Sequence, residues 1–188
     1  MPPMCKRLRN GPIRSMEIDR VRLTRALIAA TLFAFAACSQ GGQQSEAVAA
    51  TAAPKVHPES GLPVIPLKVK SAGKAHRFAV EVARTPQQQA KGLMFRTKLG
   101  PDEGMIFVND PPRAAAFWMR NTVIPLDIIF IGTDHRILNI AAQAVPYDET
   151  PLPSAGLTSG VLELAGGRAR ELGIKPGDKV RHPIFGNA

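Results

Sequence analysis

Residues 117–131 read Phe-Trp-Met-Arg-Asn-Thr-Val-Ile-Pro-Leu-Asp-Ile-Ile-Phe-Ile and contain the only tryptophan of the chain, Trp118. From Leu126 to Ile131 every residue except Asp127 is apolar, a pattern typical of a central strand covered on both faces. A polar turn at 132–136 separates this strand from a second, largely apolar segment at 137–144. This arrangement predicts an antiparallel hairpin with a loop of about five residues.

Further segments with strand character lie on both sides of this hairpin. Residues 77–83 alternate between apolar and polar or small side chains, as expected of a strand with one buried face. The other predicted strands are Val64–Lys70, Met105–Asn109, Ala115–Met119, Val161–Leu164 and Lys179–His182, with a proline-rich loop between Tyr147 and Gly156.

Two short helices interrupt the strands. Thr85 can cap the first helix, Pro86 suits its first turn, Gln88 completes a capping box and Gly92 ends it. The second helix is predicted within 167–172 and is closed by Gly173. Together these elements predict a mainly β (α+β) fold for residues 62–185, a single compact barrel-like or strongly curved mixed sheet with two short helices.

The first 38 residues have the pattern of an export signal. Three arginines, the last at Arg25, precede a charge-free apolar run from Ala26 to Ala37, which is too short to span a bilayer. The sequence Phe-Ala-Ala-Cys ending at Cys38 resembles a bacterial lipobox, so we expect Cys38 to carry a lipid on the periplasmic side of a membrane. Met16 is an alternative start to Met1. Residues 39–61, rich in Gly, Gln, Ser, Ala and Pro, are predicted to be a flexible tether, and residues 186–188 a tail.

The strong positive charge of the chain is concentrated in this signal-like segment. Seven of the 24 basic and two of the 15 acidic residues lie in 1–38, which leaves a formal net charge of +4 on the remainder. That remainder contains no dense Lys/Arg cluster with interleaved aromatics, so no nucleic-acid partner is expected. Both cysteines, Cys5 and Cys38, lie in the same segment, which excludes disulfides, thiolate metal sites and cysteine catalysis from the mature domain.

Several blocks of residues 64–184 resemble one known family. In order and spacing they are similar to the domain of unknown function 192 (DUF192) family, with Ala165 at a position where proline is common. The resemblance implies a compact, largely β fold with barrel-like curvature, frequently exported or lipid-anchored, with no settled enzymatic role or cofactor. The matching blocks are Gly92–Arg96, Gly104–Val108, Phe117–Thr122, Ile124–Asp127, Val161–Gly167 and Gly177-Asp178.

The segment from Trp118 to Asp127 is the best candidate for a ligand site. An indole, an amide, a hydroxyl and a carboxylate close together are suited to stacking on a small polar ligand and orienting it. In the alternative interpretation, Trp118 and Met119 fill the core while the polar side chains hydrogen-bond to backbone around a turn. A carboxylate in this apolar strand needs a partner, which we expect to be an arginine such as Arg96 or Arg120. The predicted ligand-binding residues are Trp118, Arg120, Asn121, Thr122, Asp127 and Arg96.

Three methionines give an alternative, metal-binding hypothesis. Met94, Met105 and Met119 lie in the blocks described above, and thioether sulfurs are suited to monovalent copper. Methionine is equally an ordinary core residue that packs well on aromatic rings. The metal hypothesis therefore requires the three sulfurs to converge.

Catalysis has little support in the sequence. The four histidines, His57, His76, His135 and His182, are scattered and lack the spacing of a zinc site or a nucleophile-activating pair. No glycine-rich phosphate loop is present. We therefore expect an exported, lipid-anchored domain that binds a small ligand or an envelope protein without catalysis and without a cofactor. Copper binding and hydrolysis of envelope material are the alternatives.

Overall fold

The computed structural model describes residues 55–187. The predicted signal segment, Cys38 and the tether as far as residue 54 lie outside the described residues. The last residues assigned to the tether are part of the domain: Val56 forms a β-bridge with Pro63, and Ser60 hydrogen-bonds to Glu81. No helix between residues 55 and 187 has both the length and the apolar character needed to cross a membrane.

The described residues form one mixed sheet of seven strands in the order β5-β4-β6-β3-β2-β1-β7, together with two short helices and a final 3₁₀ turn. The strands are β1 (Val64–Ser71), β2 (Lys74–Ala83), β3 (Glu103–Phe117), β4 (Leu126–Gly132), β5 (Ile137–Ala144), β6 (Leu152–Ala165) and β7 (Lys179–Arg181); the helices are α1 (Pro86–Lys91) and α2 (Arg168–Glu171), and the 3₁₀ turn is Pro183–Phe185.

The helix α1 connects the one parallel strand pair, β2 and β3, whereas the other neighbouring strands are antiparallel. Its predicted capping box is confirmed: Thr85 accepts from the backbone N–H of Gln88, whose side chain accepts from the backbone N–H of Thr85. Gly92 ends the helix with a positive φ of 47°, a conformation that glycine adopts without steric cost. The predicted hairpin of β4 and β5 is also confirmed.

The sheet is strongly curved, and residues at its two edges, near β5 and β7, contact each other. Ile137 on β5 and Val180 on β7 come from opposite ends of the strand order, yet both belong to one buried cluster. Arg136 also forms a bridge with Lys179, and the Gly177 N–H donates to the carbonyl of Ile137 at 2.8 Å. The predicted fold class, a mainly β, strongly curved mixed sheet with two short helices, is therefore confirmed as a half-barrel.

Two apolar clusters cover the two faces of the central strands. One cluster fills the inside of the curve and contains Ile129 and Leu162. The other lies on the opposite face, where Leu93, Met119 and Phe130 pack together. All residues of β4 are buried, so the prediction of a central strand covered on both faces is confirmed.

The predicted boundaries of three strands are wrong. The segments Met105–Asn109 and Ala115–Met119 belong to the single strand β3, which ends at Phe117 and accommodates two exposed prolines in a register shift between Val108 and Arg113. Strand β6 begins at Leu152, inside the predicted loop, because it pairs there with the end of β3. His182 is not a strand residue but the N-cap of the last 3₁₀ turn.

Candidate functional site

Trp118 begins the loop that connects β3 to β4, and backbone hydrogen bonds tie this loop to two neighbours. The Met119 N–H donates to the carbonyl of Asp148 at 2.8 Å, and the Tyr147 N–H donates back to the carbonyl of Met119 at 3.1 Å. On the other side, the Phe95 N–H donates to the carbonyl of Asn121 at 2.8 Å. Three loops distant in sequence are thereby held in one surface region.

A cleft of about 250 Å³ lies between this region, the helix α1 and strand β3. Its size is near the lower end of typical small-molecule sites. Its lining is shared between apolar or aromatic side chains and polar ones, and its cationic side chains are exposed, which places them at the mouth of the cleft. The principal lining residues are Leu93, Met94, Phe107, Phe117, Trp118 and Glu163.

The carboxyl group of Glu163 is the buried polar group of this cleft. Glu163 lies on β6 opposite Met105 and Ile128, on the face that carries the second apolar cluster, and only 5% of its surface is exposed. Its Oε2 atom has no hydrogen-bond partner among the described residues. Burial raises the pKa of this carboxyl to about 8, because water that would stabilise the charge is excluded. Glu163 is therefore protonated at neutral pH and can donate a hydrogen bond.

Cationic side chains surround the mouth of the cleft. Lys91 ends α1, Arg113 lies on β3 and Arg120 follows Trp118, and all three are exposed. Arg113 donates from Nε to Oδ1 of Asn109 at 3.1 Å and from Nη2 to Oε1 of Gln89 at 3.0 Å. Because both acceptors are neutral amides, they orient the guanidinium group without neutralising its charge.

Three large aromatic side chains on these loops are exposed to solvent, those of Phe95, Trp118 and Tyr147. Trp118 is 51% exposed and Phe95 is 68% exposed. The interpretation in which both Trp118 and Met119 fill the core is thus wrong for Trp118, although Met119 is buried. Phe95 also has a φ of 65°, a conformation that is uncommon for residues other than glycine. Exposed aromatic surface beside a cleft is characteristic of ligand or partner binding.

The remaining residues of the predicted site divide between the cleft and the scaffold. Thr122 lines the cleft, but it is buried and its hydroxyl donates to the carbonyl of Arg120 at 3.3 Å. Asn121 has a φ of 54°, and its side-chain amide approaches the sulfur of Met94 at 3.9 Å. Both residues shape the loop that presents Trp118 and Arg120.

Asp127 has a partner, as predicted, but the expected arginine partner is wrong. Its carboxylate is fully buried and accepts hydrogen bonds from backbone N–H groups: Gln143 and Gly167 donate to Oδ1, and Ala169 donates to Oδ2. These bonds join β4, β5 and the first turn of α2. The backbone supplies the donors because Asp127 faces the start of a helix, where amide groups lack intrahelical acceptors.

Arg96 lies outside the cleft, in a separate buried ion pair. Its Nη2 atom donates to both carboxylate oxygens of Glu81, at 2.9 and 2.8 Å, and its Nε atom lies 3.0 Å from a carboxylate oxygen of Glu59. The ring of His57 completes the group, with Nδ1 3.2 Å from Arg96 Nη2. This pair attaches residues 57–60 to the sheet.

The three methionines of the copper hypothesis occupy different environments. Met105 and Met119 are buried in the second apolar cluster, whereas Met94 is partly exposed and lines the cleft. Residues 55–187 contain no cluster of His, Cys, Asp and Glu side chains suited to a metal ion. Metal binding through the methionines stays an untested prediction.

Sequence reasoning missed Glu163 as a residue of the cleft. The available signal was a charged residue inside the otherwise apolar strand segment 161–164, the same kind of signal that drew attention to Asp127. Chemically, the cleft offers one neutral carboxyl donor, aromatic walls and a cationic mouth. Among the described residues that line the cleft, Glu163 carries the only carboxyl group, whereas hydrolysis of glycosides generally uses two.

The fold and this cleft define a small β-rich domain of the half-barrel type. The chain belongs to the DUF192 family, described as Uncharacterized ACR, whose model matches residues 67–182. No curated protein matches the chain.

Two solved structures are similar to this chain. A protein of unknown function from Novosphingobium aromaticivorans DSM 12444 is 64% identical, with a TM-score of 0.68, over 70% of this chain and 94% of that one. A protein from Sinorhizobium meliloti 1021 to which a role in transcription regulation has been attributed is 37% identical, with a TM-score of 0.62, over 64% of this chain and 94% of that one.

Proposed function

We propose that this protein is a non-catalytic binding domain that holds a small organic ligand in the cleft beside Trp118. The observation that carries the proposal is the carboxyl group of Glu163, which is buried at the cleft with one oxygen that has no partner within residues 55–187. An unsatisfied buried polar group is destabilising by about 1–3 kcal/mol. A ligand that hydrogen-bonds to Glu163 would remove that penalty on binding.

The aromatic surroundings support the same proposal. Phe107 and Phe117 pack edge to face with ring centroids 4.9 Å apart, which makes one wall rigid. Trp118 stands half exposed at the opening, where a ligand ring would cover apolar surface that water now contacts. The cleft therefore combines a preformed apolar wall with a few polar groups, as ligand sites commonly do.

We further propose that the domain is exported and tethered to the periplasmic side of a membrane by a lipid on Cys38. The support is the signal-like pattern of residues 1–38 and the low-complexity segment that follows it. Under this proposal the ligand, or an envelope protein that presents it, is encountered outside the cytoplasm. Residues 39–188 carry a net charge of only +4 without a dense basic cluster, which does not favour a DNA-binding role in transcription regulation.

Native mass spectrometry tests the cleft. The sample is the chain in the form that a bacterial host produces after processing. We expect a bound organic mass that is lost in Trp118→Ala and retained in Leu157→Ala, which removes an equally exposed apolar side chain that does not line the cleft. Retention of the bound mass in Trp118→Ala, or an unliganded protein in all three samples, would contradict the proposal. Labelling with radioactive palmitate tests the tether, and incorporation should disappear in Cys38→Ser.

A further inference from the structure

We infer that the ligand of the cleft is a small aromatic or apolar carboxylate, which turns an oxygen acceptor towards Glu163 and its negative charge towards Lys91 and Arg113. This inference rests on the proposed function and adds the chemical class of the ligand. It follows from the arrangement of one neutral donor inside the cleft and several cations at its mouth.

The mouth of the cleft has uncompensated positive charge. Within residues 55–187, neither Lys91 nor Arg113 has a carboxylate within 4.0 Å. Arg120 lies at the outer limit of such a contact, 4.0 Å from Glu149, and both side chains are largely exposed. A ligand anion would therefore meet three cations at this opening, of which only Arg120 has a carboxylate as close as 4.0 Å.

The interior of the cleft favours a ligand group that accepts a hydrogen bond over a ligand group that is cationic. An ammonium group would need Glu163 in its charged form, yet burial keeps the pKa of this carboxyl near 8. The other charged side chains that line the cleft are those of Lys91 from α1, Arg113 from β3 and Arg120 from the following loop. All three would repel a cationic ligand on its way in, whereas a carbonyl, ether or hydroxyl oxygen can accept the Glu163 proton.

The size and walls of the cleft restrict the body of the ligand. A volume of about 250 Å³ suits one ring or a short chain rather than a nucleotide. Leu93, Phe107 and Phe117 provide apolar wall, and Trp118 provides a face for stacking. A singly charged carboxylate with an apolar body and a distal oxygen acceptor fits all of these features.

Three matched probes separate the possible ligand charges. 4-Acetylbenzoate, 4-acetylbenzamide and 4-acetylbenzylamine share a ring and a ketone acceptor but are anionic, neutral and cationic. Because Trp118 is the only tryptophan, its single indole N–H signal in the ¹⁵N-labelled chain reports occupancy of the cleft directly. We expect the anion to bind about tenfold more tightly than the amide, equivalent to about 1.4 kcal/mol, and the amine to bind most weakly.

Variants of the mouth and the interior test the two ends of the site separately. Lys91→Gln combined with Arg113→Gln should reduce the affinity for 4-acetylbenzoate to that of the amide, whereas Lys74→Gln, an exposed lysine outside the cleft, should not. Glu163→Gln keeps a neutral hydrogen-bond donor at this position but does not titrate. The wild-type affinity should fall between pH 7 and 9 as Glu163 loses its proton, and Glu163→Gln should remove that fall.

Each contrary result identifies which proposal fails. If the amine binds most tightly and Glu163→Gln abolishes its binding, the ligand class is overturned while the cleft remains a binding site. If the Trp118 signal responds equally to all three probes, the inference about charge is likewise overturned. If none of them shifts the signal at about 10 mM, far above the Kd of a specific fragment, both the ligand class and the proposed binding function are contradicted.

Discussion

The carboxylate of Asp127 accepts a hydrogen bond from the backbone N–H of Ala169 at 2.8 Å, although the two residues are 42 positions apart. The same carboxylate also accepts from Gly167, at 2.9 Å, and from Gln143, at 2.8 Å. Because Asp127 is fully buried, these amides take the place of water around its oxygens. Asp127 therefore holds α2 and β5 on β4, and its side chain is not part of the cleft.

Replacement of Asp127 by Asn should destabilise the fold without changing the cleft. The substitution removes the charge and turns an NH₂ group towards backbone donors, so we expect the free energy of unfolding to fall by about 3 kcal/mol. Urea denaturation measures this change, and the exposed Asp110→Asn should stay within about 0.5 kcal/mol of wild type. A stable Asp127→Asn variant that loses its ligand would instead support the sequence-based assignment of Asp127 to the site.

Arg96→Gln should also act on stability rather than on binding. It leaves the buried carboxylate of Glu81 without its bidentate partner, a change that typically destabilises by 3–5 kcal/mol. The double variant Arg96→Met with Glu81→Met should recover part of the loss, because no unpaired charge remains. Thermal unfolding of wild type, Arg96→Gln and the double variant measures the change in stability. Arg136→Gln, at an exposed arginine, is the control for loss of one arginine. An Arg96→Gln protein of wild-type stability would show that the pair contributes little.

The sequence was sufficient for features determined by neighbouring residues. The capping box of Thr85 and Gln88 and the hairpin turn at 132–136 follow from local spacing, and both were predicted correctly. The lengths of β3 and β6 were not predicted correctly. The end of β3 and the start of β6 are strands because they pair with each other, and this pairing is not local in sequence. The prolines between Tyr147 and Gly156 suggested a loop, whereas β6 begins within this segment, and β3 accommodates its own two prolines at a register shift.

In the candidate site, too, the sequence predicted local features but not contacts between distant residues. The energetic argument that Asp127 needs a partner was correct, but backbone amides some 40 residues away are not visible in a linear pattern. The same argument applies to Glu163, which no sequence signal separates from Asp127. Only the packed structure distinguishes a carboxylate that receives three hydrogen bonds from a carboxyl that keeps an unpaired oxygen beside a cleft.

Met105→Leu and Met119→Leu test whether the methionines serve packing or copper. Both side chains are buried among apolar neighbours, so we expect each substitution to lower the free energy of unfolding by less than about 1.5 kcal/mol. Titration with monovalent copper or silver should give the same binding curve for wild type and both variants. Met94→Leu, at the partly exposed methionine of the cleft, is the matched comparison. Loss of stoichiometric metal binding in Met119→Leu would support the copper-binding hypothesis.

Glu163 should make the protein less stable as pH rises. The folded state keeps the proton up to a pKa of about 8, whereas the unfolded chain releases it near the ordinary value of 4.5. Between these values the folded state binds more protons, so the free energy of unfolding falls with increasing pH, by about 1.4 kcal/mol per unit and on the order of 5 kcal/mol in total.

Glu163→Gln isolates this effect, because it removes the titrating group and nearly preserves its shape. Chemical denaturation at several pH values should show a smaller decline from pH 4.5 to 8 in the variant, which should be more stable than wild type at pH 8. Glu149→Gln, at an exposed glutamate, controls for the loss of one carboxyl. An unchanged pH profile in Glu163→Gln would mean that water or a counter-charge already stabilises the ionised form.

His182 should have the opposite effect in the acid range. Its imidazole is buried, its Nδ1 accepts from the Ile184 N–H at 3.2 Å, and its Nε2 has no partner among the described residues. Burial, assisted by the positive charge of Arg84, lowers its pKa to about 4. The unfolded chain binds a proton near pH 6.5 and the folded state does not, so stability present above pH 6.5 is lost as the pH falls towards 4.

His182→Asn is the informative variant, because an asparagine oxygen can still accept from the Ile184 N–H while the side chain no longer titrates. We expect its free energy of unfolding to rise as the pH is lowered from 6.5 to 4.5, because only the contribution of Glu163 remains. Between pH 4.5 and 6.5 the effects of His182 and Glu163 have opposite signs, so wild-type stability should change little there and each single variant should reveal the slope of the other residue. If the free energy of unfolding of both variants stayed constant between pH 4.5 and 6.5, the shifted pKa values of His182 and Glu163 would both be contradicted, since neither group would then be coupled to folding.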